Sequence, residues 1–170
     1  NYTCNEKITE KETIDISDFQ RKLWEDCKVN KRLVGDKDAK ELFALYYADT
    51  LVIATTKTKD YDKRIKLAEK IKTEFLDFEK YQTPEIALRY AMALANATNI
   101  MTDSGKIQEK AEIIKKLLEK YQTPEIALEY AKALYNATYE MTDSDKIQEK
   151  AEIIKELLEK YNTPEIALQY

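Results

Sequence analysis

The chain reads as an all-α protein, an α-solenoid of stacked helix pairs, and three observations carry that reading. The decapeptide Tyr81-Gln-Thr-Pro-Glu-Ile-Ala-Leu-Arg-Tyr90 returns with one or two residues changed at Tyr121–Tyr130 and Tyr161–Tyr170, forty residues apart each time. A fixed period of this size marks an array whose units bury their apolar faces against one another. Only two Gly and three Pro occur, while 35% of residues are charged, which suits long helices with solvated faces. Finally, each copy opens on Thr-Pro-Glu, where Thr can cap a helix, Pro suits its first position and Glu faces the helix dipole.

From the N-terminus, residues 1–16 are predicted to be a tail. Ser17-Asp-Phe-Gln20 reads as a capping box, opening a helix over 17–37 through Phe19, Leu23, Trp24 and Cys27, with Gly35 as its stop. This helix is expected to pack on the array and to bury Trp24 at that junction. The array then covers 38–170, in units of about 38–80, 81–120 and 121–160 and a truncated unit over 161–170.

The two central units differ only at 89, 92, 95, 99, 100, 105 and 116 and their partners forty residues on, which implies recent duplication. The first unit is a worn copy. Ala44-Leu-Tyr-Tyr-Ala48 matches Ala87-Leu-Arg-Tyr-Ala91 at an offset of 43, whereas from Lys66 onward the offset is 40. Three extra residues therefore lie near Thr56–Asp60, which predicts a loop there.

Within a unit the first helix runs from Pro84, with Ile86, Tyr90, Ala93, Leu94 and Ala97 on one face. The second begins near Ser104 and ends near Tyr121, with Ile107, Ala111, Ile114, Leu118 and Tyr121 as its apolar stripe. It must stop before Pro124, because the residue ahead of a proline is forced out of helical geometry. With two or three residues between units, consecutive helices must pack antiparallel. After Thr163-Pro164 too few residues remain for a stable isolated helix, so the chain is expected to be a fragment of a longer array with an open apolar end.

These helix pairs resemble tetratricopeptide (TPR) repeats. Tyr90 and Tyr130 match the large aromatic of that family's first helix. Ala93/Ala133 with Leu94/Leu134 fall at its central pair, Ala111 and Ala151 at the small residue of the second helix, and Pro124 and Pro164 at its closing proline. The likeness covers about residues 38 to 170. The family's period is about 34 residues, so the excess here falls most easily between Asn99 and Ser104. The central pair is small–large instead of large–small, and Ala97 stands where a second aromatic is usual. The resemblance implies a right-handed superhelix whose first helices line a concave, peptide-holding side.

Function is read from where the copies differ. Arg89/Glu129, Met92/Lys132, Ala95/Tyr135 and Asn99/Tyr139 are spaced three or four apart, on one face of the first helix. With Asn96 and Asn136 beside them, they are the candidate partner-binding surface. Free drift of exposed positions is the alternative, and the near-constancy of the second helix speaks against it. Residues 81–120 carry a net charge of +1 and residues 121–160 a net charge of −4, so a basic partner would be favoured at the second unit.

Other chemistries lack their residues. Without His there is no Ser-His or Cys-His pair, and two isolated Gly make no phosphate-cradling loop, so no catalytic residue is nominated. No metal site or cofactor is expected: Thr102-Asp-Ser-Gly and Thr142-Asp-Ser-Asp read as helix caps and lack the spacing of a calcium loop. Cys4 and Cys27 form no disulfide framework, which favours a cytoplasmic setting. A net charge of −4 with no basic cluster argues against nucleic acid, and no apolar run is long enough to span a membrane. Asn96-Ala-Thr98 and Asn136-Ala-Thr138 match the glycosylation sequon. The reading is a non-enzymatic scaffold for a protein or peptide. The alternatives are a structural spacer or self-assembling array, associating through the C-terminal end, and a regulatory arm of a larger protein.

Overall fold

A computed structural model describes residues 9–29, 37–139 and 141–169. Eight α-helices lie among them: α1 (Glu10–Val29), α2 (Lys37–Lys57), α3 (Tyr61–Ile71), α4 (Pro84–Thr98), α5 (Ser104–Tyr121), α6 (Pro124–Tyr139), α7 (Ser144–Tyr161) and α8 (Pro164–Ala167). No strand occurs among the described residues, and no described helix is long and apolar enough to cross a membrane.

The helices form two rows. α2, α4, α6 and α8 pack side by side, and each of α3, α5 and α7 lies against its own first helix and the first helix of the next unit. One continuous core runs through the stack. Ile86, Tyr90 and Leu94 of α4 and Ile126, Tyr130 and Leu134 of α6 meet Ala111, Ile114 and Leu118 of α5 and Ile154 of α7. Alanines at 87, 91 and 93, repeated at 127, 131 and 133, are fully buried and let the first helices approach closely.

Caps follow the sequence logic. Thr83 accepts from the Ile86 N–H at the head of α4, and Asp103 and Asp143 accept from the second and third residues beyond them. The Asp-Ser runs therefore serve as helix starts. At the other end Gln122 and Asn162 adopt left-handed backbone (φ 52 and 49), which ends α5 and α7 abruptly and leaves one residue before Pro124 and Pro164.

Two expectations are corrected. α1 starts at Glu10, so Ser17–Gln20 lies inside the helix and 10–16 is no tail; no Gly or Pro interrupts 10–29. The side-chain burial of Trp24 lies outside what the structure describes, and Gly35 and Cys4 lie outside the described residues.

The second helix of the first unit is also broken. α3 passes into a π-helical turn (Lys72–Leu76) and then a 3-10 turn (Glu79–Tyr81). Ile71 is buried like Ala111, its partner at an offset of 40, but the next core residue is Phe75, an offset of 39 from Ile114. A π turn holds one extra residue, and this slip turns Phe75 inward while Glu74 takes the place of Ile114.

Candidate partner-binding surface

The nominated first-helix residues divide into two groups. Arg89 reaches back to α2, its Nε donating to Asp49 Oδ1 at 2.7 Å. Asn96 donates its amide to Thr55 Oγ1 on α2 at 3.0 Å, and Asn136 donates to Thr98 Oγ1 on α4 at 2.9 Å. Met92 is half-buried against the core, Ala95 is 4% exposed and Glu129 only 5%. The nominated face is therefore in large part a packed one, which corrects its reading as a single open stripe. The reason is geometric: first helices stack directly on one another, so positions turned away from the second helix meet the neighbouring first helix instead.

What stays open is concentrated on α6. Tyr139 is 78% exposed and Tyr135 is 41% exposed, and their rings meet edge-on with centroids 6.2 Å apart. Lys132 Nζ lies 2.8 Å from Glu129 Oε1, so a buried carboxylate pins a half-exposed cation one turn before Tyr135. Asn99, at the end of α4, is exposed as well. Lys132, Tyr135 and Tyr139 thus form a compact surface with one charge and two aromatic faces.

Burial governs the other tyrosines. Tyr47 and Tyr130 are buried, which pushes both hydroxyls up to about 12. Tyr90 is raised further, by burial first and then by its hydrogen bond to Glu69 Oε1 at 2.9 Å.

Two repeat-matched grooves between second helices were not anticipated from the sequence. One, of about 290 Å³, lies between α3 and α5 over Tyr90; the other, of about 420 Å³, lies between α5 and α7 over Tyr130. Leu117 and Leu157 wall them at equivalent positions, and Lys120 and Lys160 each lie over the following tyrosine ring at 5.0 and 5.1 Å. The exchange of Lys116 for Glu156 falls in these grooves and was the available signal, being one of only two changes between the second helices, with Gly105 to Asp145. Among the described residues no cluster of His, Cys, Asp or Glu is arranged to hold a metal ion.

Compared with known proteins, the chain matches no family model and no curated relative.

Proposed function

We propose that this chain is a TPR-like α-solenoid that binds a protein or peptide through the exposed part of its first helices, centred on Lys132, Tyr135 and Tyr139. One observation carries the reading. The two positions at which α6 exchanges a small or polar residue of α4 for tyrosine, 95 to 135 and 99 to 139, form the exposed aromatic pair. Exposed tyrosines beside a charge are among the residue types that dominate binding energy at interfaces. The acidic balance of residues 121–160 favours a peptide with a basic residue near its aromatic or apolar anchor.

The chain's own repeat supplies the control. Tyr135→Ala with Tyr139→Asn installs the residues that α4 already carries at those positions. A displayed peptide library selected on the full chain is expected to yield binders that the double variant does not retain. Binders retained equally by both proteins would reject the site.

A spacer role is the second reading, favoured by the Asn–Thr bonds that tie successive first helices in one register. Deleting residues 121–160 separates the two: a spacer shortens and keeps its terminal contacts, whereas a reader loses its ligand.

A further inference from the structure

Beyond that site, α2 has an outward face that α4 and α6 lack. At the offset of 43, Leu42, Tyr46 and Ile53 stand where α4 has Glu85, Arg89 and Asn96 and where α6 has Glu125, Glu129 and Asn136. At two of these three positions the inner helices meet the preceding first helix, through Arg89 to Asp49, Asn96 to Thr55 and Asn136 to Thr98, while Glu85 and Glu125 are exposed. On α2 all three are apolar, and with α1 in place they remain 51%, 57% and 46% exposed.

Six of the ten large apolar side chains exposed among the described residues gather here: Ile16 and Phe19 of α1 with Leu42, Phe43, Tyr46 and Ile53 of α2. α1 and α2 frame a groove of about 300 Å³ walled by Phe19, Leu23, Phe43 and Tyr46. An exposed apolar patch of this kind marks a surface built to be covered.

The repeat specifies the cover. The positions of Tyr46 and Ile53 face a neighbouring first helix in the inner units, which calls for a helix here too, and apolar residues in place of polar ones call for an apolar stripe on it. Leu42 to Ile53 spans about 16 Å, or three helical turns. Among the described residues only α2 leaves an apolar row of that length exposed. We infer that the occupant is α2 of a second copy, giving a two-fold dimer in which the stripes of two α2 helices pack on each other and each Tyr46 enters the other copy's α1–α2 groove. A two-fold interface sets a patch against itself, and an apolar stripe is self-complementary.

Sedimentation velocity on the full chain, from micromolar to submillimolar concentration, is expected to show a monomer–dimer equilibrium. Leu42→Glu, Tyr46→Arg and Ile53→Asn install the residues of α4. Together they should weaken dimerisation by well over about tenfold, or roughly 1.4 kcal/mol, while the circular dichroism of the dilute monomer stays helical. Tyr139→Asn should leave the dimer unchanged. In a Cys4→Ser, Cys27→Ser background, Tyr46→Cys should form a disulfide-linked dimer and Tyr139→Cys should not, a readout that does not depend on the triple variant folding. A monomer at every concentration, or a dimer indifferent to the three substitutions, overturns the inference, even if a different protein is then found to bind the face.

Discussion

The Asn136 amide donates to the Thr98 hydroxyl across the α4–α6 interface at 2.9 Å, and the Asn96–Thr55 pair repeats the bond one unit earlier at 3.0 Å. Each threonine hydroxyl in turn donates to the carbonyl three residues back, Thr98 to Ala95 at 2.7 Å and Thr55 to Val52 at 2.6 Å. One side chain thus serves its own helix as donor and the next helix as acceptor. Asn136→Ala should cost about 1 kcal/mol and Thr98→Val a similar amount. In urea denaturation the double variant should lose much less than the two single losses combined; full additivity would mean that the two groups are not coupled.

Those bonds also bear on the sequons. In Asn96 and Asn136 the nitrogen that would carry a glycan is the donor inside the stack. Expression in a glycosylating host should leave both sites bare on folded protein, as measured by intact mass.

Arg64 holds the first unit's longer loop. It is buried, its Nε donates to the Thr58 carbonyl and its Nη1 to the Asn96 carbonyl, so one guanidinium joins the ends of α2 and α4. Arg64→Met leaves two carbonyls without their donor and should cost about 2–3 kcal/mol. For a chain of this size that lowers the melting temperature by several degrees, at about 2–4 °C per kcal/mol. A shift under one degree in calorimetry would show the clamp to be idle.

Two buried tyrosines should behave oppositely. Tyr90 donates to Glu69, whereas the Tyr47 hydroxyl is buried without a hydrogen-bond partner among the described residues. Tyr90→Phe is expected to destabilise by about 1 kcal/mol and Tyr47→Phe to be neutral or stabilising. Equal losses in the two variants would contradict the assignment.

The same burial sets an alkaline limit. The folded-state values of Tyr47 and Tyr130 are raised to about 12 from 10.0, and that of Tyr90 is raised further. Above pH 10 the unfolded chain releases these protons while the folded chain retains them. Their contribution is therefore complete below pH 10 and is lost as pH rises toward 12. Urea midpoints should fall over that window, and more gently in Tyr130→Phe.

Much of the architecture was legible. The Thr-Pro-Glu starts, the second helices from Ser104 and Ser144 and the loop after α2 follow from capping chemistry and from one inserted segment. Three features were hidden for identifiable reasons. Ser17–Gln20 has the residue types of a capping box whether or not the helix has already begun, so the pattern alone could not set the start of α1. The π turn depends on Glu74 and Phe75 exchanging roles, which periodicity at a fixed offset conceals. Above all, helical spacing shows that Arg89, Met92 and Ala95 share a face but does not say what that face meets. That depends on first helices packing side by side, and it removes Ala95, Asn96, Asn136 and Glu129 from the open surface while leaving Tyr135 and Tyr139 on it.

The most direct test of the binding account pairs calorimetric titration of a selected peptide with thermal melts, for the wild type and for the Tyr135→Ala, Tyr139→Asn variant. The account expects affinity to fall at least about tenfold, roughly 1.4 kcal/mol, with the melting temperature held within a degree or two. Undiminished affinity would contradict it, and so would a binding loss that merely follows a fall in melting temperature.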